Sequence, residues 1–204
     1  MDRYKKTIET YQRMGKKYLN DTKDIIAQDF FKFIKLISHN GKVLDVGCAG
    51  GKDTKRFIQK GFKVIGIDLV DIFLKEAKKA LPQAKFVKMD LLKLKFPKDY
   101  FDALWANAVL LHIKKKDIPL ALREFYKVLK FGGKLYLQVK TGKGTGYKKD
   151  KLSSGEKRFF SYFSEDEIKQ YVKRAGFEII KSRIVSDAVG RKDTKWISLW
   201  AGKA

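Results

Sequence analysis

The sequence predicts an α/β fold, a seven-stranded, mostly parallel, doubly wound sheet with helices on both faces and a C-terminal antiparallel hairpin. Short apolar segments of strand character alternate with segments in which apolar residues recur every three or four positions. Repeated β-α units of this kind form a parallel sheet that is covered on both faces. The last two apolar segments, near 177–185 and 195–201, have only a loop between them, which is typical of a hairpin.

Two helices are predicted ahead of the first strand. Apolar and aromatic residues keep a three-to-four spacing from Tyr4 to Tyr18, and again from Ile26 to Ile37. Asn40-Gly41 follows the second segment as a stop signal. The sequence therefore predicts two amphipathic helices within residues 1–38.

The central part of the chain alternates between strands and helices. The predicted strands are residues 42–46, 62–68, 85–89, 101–106 and 134–140, and the helices between them are 52–60, 71–81 and 118–129. After the fifth strand, residues 141–157 are rich in Gly, Lys and Ser without apolar periodicity, which predicts a mobile loop. The capping box Ser164-x-x-Glu167 then opens a helix predicted over 164–175.

Length and composition limit the class of protein. The 204 residues, 44% of them hydrophobic, suit one domain over 1–204 with a sizeable core. The single cysteine, Cys48, excludes an intrachain disulfide and a multi-cysteine zinc site. No apolar run is long enough to span a bilayer, and the polar N-terminus is not that of a signal peptide, so we expect a cytoplasmic protein without a membrane partner.

The charge is strongly positive but ambiguous. The chain has 46 Lys+Arg against 23 Asp+Glu, a net charge of +23, which would suit a polyanionic partner. Only eight of the cationic residues are arginines, however, whereas nucleic-acid sites draw on arginine for bidentate contacts. The lysines are also spread along the whole chain, so a compositional bias explains the charge equally well.

A glycine loop follows the first strand and has an acidic neighbour. In open parallel sheets the ligand binds beyond the carboxyl ends of the strands, so this loop is a candidate site. The loop lacks two of the three glycines of a dinucleotide fingerprint, and no Gly-Lys-Ser/Thr follows at the spacing of a P-loop. Asp45, two residues before Gly47, would repel a pyrophosphate and attract an ammonium or sulfonium group. Asp68 ends the second strand, where it can accept hydrogen bonds from both ribose hydroxyls, and Asp90 ends the third.

The segment Val43–Gly51 resembles the first motif of class I S-adenosylmethionine-dependent methyltransferases, with Ala49 in place of the middle glycine. Further motifs of this family follow in order, and the resemblance extends over residues 42–140. They are Ile67-Asp68, Met89-Asp90-Leu91, Phe101–Asn107 and Leu129–Gly133. The terminal helix and hairpin are also like those of the family, and the Leu-Leu-His-Ile stretch at 110–113 is similar to the ubiquinone-biosynthesis and tellurite-resistance type.

The resemblance implies S-adenosylmethionine as the cofactor and S-adenosylhomocysteine as the product. Asp45 would orient the ammonium group, Asp68 would hold the ribose, and Asp90 with Leu91 would hold the adenine. Within 1–38, the first helix would fold over the cofactor. The implied cofactor residues are Tyr11, Tyr18, Asp45, Gly47, Cys48, Ala49, Gly51, Asp68, Leu69, Asp90, Leu91 and Asn107.

The methyl acceptor is less well marked. His112 is a candidate general base near neutral pH, or a structural histidine that bonds to the backbone and shapes the pocket. No Asn/Asp-Pro-Pro-Tyr run follows the fourth strand, which disfavours methylation of an exocyclic or amide nitrogen. Cys48 lies in the cofactor loop, which disfavours a cysteine nucleophile for methylation of pyrimidine C5. The segment 141–163 is expected on the acceptor side, with Arg158 holding an anionic group. The candidate acceptor residues are Tyr147, Arg158, Phe159, Tyr162 and Trp196; no metal site is predicted.

The resemblance implies an enzyme that transfers a methyl group to an oxygen, nitrogen or sulfur atom of a small molecule by in-line displacement. One alternative is a methyltransferase that modifies tRNA or another RNA, for which the basic charge is the motive. Another alternative is a cofactor-binding subunit without catalysis. The sequence gives no oligomeric state.

Overall fold

The fold is described from a computed structural model for residues 4–150, 152, 155–191 and 193–204. It contains nine strands, counted over these described residues. They are β1 (Lys42–Val46), β2 (Lys63–Asp68), β3 (Lys85–Lys88), β4 (Phe101–Asn107), β5 (Leu129–Lys140), β6 (Thr145–Lys149), β7 (Lys157–Ser161), β8 (Phe177–Ser186) and β9 (Lys195–Lys203). The helices are α1 (Lys5–Thr22), α2 (Phe30–Phe33), α3 (Lys52–Gln59), α4 (Asp71–Ala80), α5 (Ile118–Val128) and α6 (Glu165–Arg174).

The main sheet has seven strands in the order β3-β2-β1-β4-β5-β9-β8. The first five strands of the chain pair in parallel, and β9 runs antiparallel to both β5 and β8. The predicted fold class, including the C-terminal antiparallel hairpin, is therefore confirmed. The strand order reverses between β1 and β4, and in open α/β sheets ligands bind at this switch point.

Apolar side chains alternate between the two faces of the sheet and form two cores. On one face Leu44 and Leu104 pack with α5 and α6, through side chains such as Phe125 and Val172. On the other face Trp105 stacks on Tyr136, with ring centroids 4.1 Å apart, among side chains from α2 and α3. The period of two along each strand explains this division, and both cores hold the strand ends in fixed positions.

The N-terminal helices differ in part from the prediction. The first is longer than expected and bends at Gly15, whose φ of +44° is not helical. The prediction of one continuous second helix from Ile26 to Ile37 is wrong. Within that range only α2 and the short 3-10 turn Ile34–Leu36 are helical. Asp29, fully buried, pairs instead with Arg183 of β8, so a tertiary contact overrides the local periodicity.

The predicted loop 141–157 is also wrong in part. Residues 145–149 form β6, which pairs antiparallel with β7 from Thr145 opposite Ser161 to Lys149 opposite Lys157. Four of the five β6 residues are exposed, so the strand buries no apolar face and leaves no apolar period in the sequence. The pairing comes from β7, whose aromatic residues are buried.

The last helix begins as predicted. The Ser164 hydroxyl accepts a hydrogen bond from the Glu167 amide at 3.1 Å, which satisfies one free N–H of the first turn. The Glu167 carboxylate does not close the box, because it binds Lys115 Nζ at 2.7 Å. The Ser164 side of the capping box is thus present, whereas the Glu167 side chain links α6 to the segment before α5.

Candidate functional site

A cavity of about 440 Å³ lies at the carboxyl ends of β1, β2, β3 and β4. Its wall includes residues at the ends of β1, β2 and β4, residues directly after β3, the glycine loop after β1 and the inner face of α1. It therefore lies at the switch point of the sheet, where the glycine loop predicted a site.

The glycine loop turns sharply beneath the cavity. Gly47 has a φ of +71°, and a Cβ there would lie 2.6 Å from a methyl group of Val109, so only glycine fits. Ala49 takes a left-handed φ of +46° at the position of the expected glycine. Gly47, Cys48 and Ala49 line the cavity, whereas Gly51 lies behind the loop against the Phe86 ring.

Two carboxylates meet at the end of β1. Asp45 is 3% exposed and accepts a hydrogen bond from the Thr54 hydroxyl at 2.6 Å. Burial, together with the nearby charge of Asp53, raises the pKa of Asp45 to about 7. For Asp53, burial alone would raise the pKa, but Lys52 and the hydrogen bonds from Trp105 and others hold it below its usual value. Lys52 and Arg56 already pair with Asp53, at 2.9 and 2.8 Å, so the ionised form of Asp45 is the acid that a ligand cation would meet.

Asp68 is tied to the backbone around it. Its Oδ1 accepts from the amides of Leu69 (2.7 Å) and Val70 (3.0 Å), and its Oδ2 accepts from the Ala49 amide (2.9 Å). A carboxylate has about four acceptor positions, so one remains for a ligand rather than the two expected from the sequence. Burial outweighs these bonds and raises the pKa of Asp68.

The end of β3 supplies a mixed apolar and polar wall. Asp90 lines the cavity, and its Oδ1 accepts from the Leu92 amide at 2.9 Å. Met89, Leu91 and Leu69 line the same part of the cavity. A flat apolar ring with a hydrogen-bond donor at its edge would match these side chains.

Asn107 has an unsatisfied atom at the cavity wall. Its Nδ2 donates to Asp53 Oδ2 at 3.2 Å, whereas its buried Oδ1 has no partner among the residues that the structure describes. A buried acceptor without a partner costs roughly 1–3 kcal/mol, which a ligand donor would recover. This orphaned oxygen and the Asp45 carboxylate fit an ammonium group.

Tyr11 and Tyr18 on α1 form the roof of the cavity. Their rings meet edge to face with centroids 5.0 Å apart, and Tyr18 stacks on Phe73 of α4 at 5.5 Å. Helix α1 is thereby anchored to α4 by aromatic contacts.

His112 is held in one tautomer by three groups in series. Its Nδ1 lies 2.7 Å from the Phe159 carbonyl, which only accepts, so the proton is on Nδ1. The bare Nε2 then accepts from the Tyr11 hydroxyl at 2.8 Å, and the Tyr11 oxygen accepts from Arg158 Nη1. Burial and the charge of Arg158 lower the pKa of His112 to about 3. His112 is therefore neutral at pH 7 and its basic nitrogen is occupied.

The predicted acceptor residues separate into three groups. Arg158 and Trp196 line the cavity. Tyr162 lines a smaller, neighbouring cavity of about 300 Å³ instead. Phe159 faces away, because side chains alternate along β7, and its ring packs against the half-exposed Tyr147 on β6.

Several lining residues were missed by sequence reasoning. Asp53 could have been suspected from its place in the first turn of α3, directly after the glycine loop. Lys140, Asp150 and Arg191 also line the cavity, but they come from distant parts of the chain. No local pattern in the sequence brings these three residues together.

Two kinds of feature, a metal-binding cluster and a membrane-spanning helix, are absent from the part of the chain that the structure describes. Over residues 4–150, 152, 155–191 and 193–204, no group of three or more His, Cys, Asp or Glu side chains is arranged to hold a metal ion. Among the helices in the same ranges, none has the length and apolar character needed to cross a membrane.

Comparison with known proteins identifies a family for the central part of the chain. The family model "Methyltransferase domain" matches residues 44–137. Phosphoethanolamine N-methyltransferase 3 of Arabidopsis thaliana is 37% identical over 101 residues, which cover 47% of this chain and 20% of that protein. The chain spans less than half the length of the curated relatives it matches.

Solved structures share the fold over most of the chain. A SAM-dependent methyltransferase of Methanosarcina mazei superposes with a TM-score of 0.76 at 21% identity, covering 84% of this chain and 96% of that one. A 1,6-didemethyltoxoflavin-N1-methyltransferase of Burkholderia thailandensis, solved with its acceptor and S-adenosylhomocysteine, has a TM-score of 0.75 at 18% identity and covers 100% of this chain and 92% of that one. These likenesses concern the fold.

Proposed function

Because the chain belongs, through residues 44–137, to the class I S-adenosylmethionine-dependent methyltransferases, we propose that it methylates an oxygen, nitrogen or sulfur atom of a small molecule. One observation carries the proposal. A single cavity is lined both by acids from three neighbouring strand ends and by the Tyr11–His112–Arg158 series. The first set suits the cofactor, and the second set forms the wall beside it.

The cavity wall fits the cofactor group by group. Asp45 and the free Oδ1 of Asn107 would receive the ammonium group, and the remaining acceptor position of Asp68 would receive one ribose hydroxyl. Asp90 and Leu91 would hold the adenine. When bound, S-adenosylmethionine supplies a methyl group on a positively charged sulfur.

Methyl transfer needs alignment more than acid–base chemistry. The acceptor's lone pair forms the new bond to the methyl carbon as the carbon–sulfur bond breaks, and the bonding pair stays on sulfur. Holding the acceptor in line and excluding water supply much of the rate. Tyr11 and Tyr18 cover the cavity on the side of α1 and serve this purpose.

The Tyr11–His112–Arg158 series does not suit proton removal. A pKa lowered to about 3 and an occupied Nε2 favour a positioning role for His112 over that of a general base. Burial also raises the pKa of Tyr11 well above its ordinary value. We assign His112 as a positioning residue for Tyr11, and we infer an acceptor that brings its own free lone pair, such as a carboxylate, a thiolate or a neutral amine.

Two measurements on the purified chain test the proposal. Calorimetry should give micromolar binding of S-adenosylhomocysteine, and Asp68→Ala should weaken it about tenfold or more, because a hydrogen bond to a charged group is lost. Asp71→Ala is the matched control, since Asp71 is exposed and pairs with Lys88 on the surface. Tritiated S-adenosylmethionine, added with the protein to a fractionated cell extract, should label the small-molecule fraction.

The outcomes separate the alternatives. Absence of S-adenosylhomocysteine binding, or an Asp68→Ala variant that binds like the wild type, contradicts the cofactor site. Label in the RNA fraction contradicts a small acceptor and supports the RNA-modifying enzyme. Normal cofactor binding without label in any fraction supports the non-catalytic subunit.

A further inference from the structure

A carboxylate at one end of the cavity is surrounded by three cations. Asp150 Oδ2 accepts from Lys140 Nζ at 2.7 Å and from Arg191 Nη1 at 2.8 Å. Its Oδ1 accepts from Arg158 Nη2 at 2.6 Å. The three cations come from the end of β5, from β7 and from the segment after β8. We call Lys140, Arg158 and Arg191 the cation cluster.

The cation cluster is too deeply buried to stand without an anion. The side chains of Lys140, Arg158 and Arg191 are 8%, 4% and 13% exposed. Removing one partner of such a buried set leaves uncompensated charge, which is strongly destabilising. Asp187 compensates Arg191, but no second carboxylate is recorded on Lys140 or Arg158 among the described residues. Asp150 is therefore the anion that the cluster requires.

The cations are held in place independently of Asp150. Lys140 Nζ lies over the rings of Phe160 and Trp196, at 4.4 and 5.6 Å from their centroids. The Arg158 guanidinium lies 4.9 Å from the Tyr11 ring centroid and also donates to the Tyr11 hydroxyl. Asp150, in contrast, lies outside any strand or helix, between β6 and β7. Lys140 and Arg158 thus lie on strands, whereas Asp150 lies on a connection. Arg191 also lies on a connection, where Asp187 holds it independently of Asp150 at 2.6 Å.

The cluster also keeps spare donors. The Nε atoms of Arg158 and Arg191 are buried and have no partner among the described residues. A buried N–H without an acceptor costs free energy that an additional oxygen would recover. A carboxylate supplies two oxygens to this cluster, whereas a phosphate supplies three or more.

The position of Asp150 connects two cavities. Lys140, Asp150 and Arg191 line both the main cavity and the smaller cavity of about 300 Å³. The smaller cavity is also lined by two exposed lysines, Lys149 and Lys195, and by one exposed acid, Asp193. An anion that approached by this route would still meet a net positive charge.

We propose that the cation cluster is an oxyanion subsite for a carboxylate or phosphate group of the methyl acceptor, and that Asp150 occupies it as an internal counter-ion which the acceptor displaces. The identity of the bound anion as part of the acceptor rests on the proposed function. The subsite itself is defined without the cofactor. Arg158 connects the subsite to Tyr11 and His112, so the anion would fix one end of the acceptor while its nucleophile faces the cofactor side.

The test uses inorganic phosphate as the probe at constant ionic strength and pH 7.5. Asp150→Asn should bind phosphate at least tenfold more tightly than the wild type, because the competing carboxylate is removed. Asp166→Asn, an equal change of charge on the exposed start of α6, should bind like the wild type. Adding Arg191→Gln to Asp150→Asn should reverse the gain.

A second measurement does not depend on the stability of the variant. In the wild-type protein, phosphate should shift the indole N–H resonance of Trp196, which lies beside Lys140 and Arg191, and leave that of Trp105 unchanged. Folded Asp150→Asn with unchanged phosphate affinity, or a wild-type Trp196 resonance that never shifts, overturns the proposal. Calorimetry with S-adenosylhomocysteine on the same samples reports separately on the proposed function.

Discussion

At the residue scale, Asp45 shows how a binding residue can oppose folding. Its carboxyl is buried next to Asp53, and both effects raise its pKa to about 7, whereas an aspartate in an unfolded chain has a pKa near 3.9. A carboxyl whose pKa rises on folding stabilises the folded state when it is protonated, and this contribution is lost as the pH rises through 7. The same ionised form is the one that attracts an ammonium group.

We therefore predict a pH-dependent affinity for S-adenosylhomocysteine. Between pH 7 and pH 6 the dissociation constant should rise about fivefold, because Asp45 becomes protonated in the free protein while the ligand's ammonium group stays charged. Above pH 7.5 the affinity should level off. Calorimetry from pH 5.5 to 8.5 in buffers of matched ionic strength measures the dependence.

Asp45→Asn is the control for this prediction. The variant should bind S-adenosylhomocysteine weakly at every pH, without the change near pH 7. At pH 8 its ligand-free form should melt at a higher temperature than the wild type, because the buried charge is gone. A wild-type affinity that is constant from pH 5.5 to 8.5 would contradict the assignment of Asp45.

The protonation state of His112 could not be predicted from the sequence. Its residue type and place after β4 made it a candidate base, but proton affinity depends on burial and neighbours. The Phe159 carbonyl determines its tautomer, and burial together with the charge of Arg158, 46 positions later in the chain, lowers its pKa. Asp68 is similar: the sequence locates it at a strand end, while its backbone bonds limit how many ligand groups it can accept.

At the element scale, prediction succeeded where each element carries its own signal. The strands β1 to β5 and helices α3 to α6 have clear apolar periods or caps, and they were located to within a few residues, except that β5 begins at Leu129 instead of residue 134. Strand β6 was missed because it is nearly all exposed, and its order comes from pairing with β7. Helix α2 is short because Asp29 must reach Arg183 of β8.

The cap of α6 allows an element-scale prediction. Ser164→Ala should lower the free energy of unfolding by about 1 kcal/mol, since the Glu167 amide loses its acceptor. Urea unfolding at pH 7 measures the change. The exposed Ser38, whose side chain has no recorded hydrogen bond among the described residues, provides the control. Ser38→Ala should change stability by less than about 0.5 kcal/mol, and an equal loss in both variants would contradict the role of the cap.

At the scale of the whole molecule, the net charge of +23 affects the stability of the fold more directly than it affects the recognition of a partner. Its cations are spread over the chain, and the ones that gather in the cavity number only a few. The surplus therefore repels itself over the whole surface, which favours the expanded, unfolded chain. Salt screens such repulsion over about 10 Å at 0.1 M.

We predict that the ligand-free protein becomes more stable as salt is added. Its melting temperature should rise by about 3–5 °C between 20 and 300 mM NaCl, which corresponds to roughly 1–2 kcal/mol for a chain of this size. Sodium sulfate at equal ionic strength keeps the screening constant. Sulfate is also excluded from protein surfaces and raises the melting temperature in that way, so binding to the cation cluster is measured by how the sulfate–chloride difference changes between the wild type and Asp150→Asn. Removing Asp150 should increase that difference. A melting temperature that falls with salt would contradict this prediction. It would mean that attraction within the surface ion pairs stabilises the folded chain more than repulsion among the excess cations destabilises it.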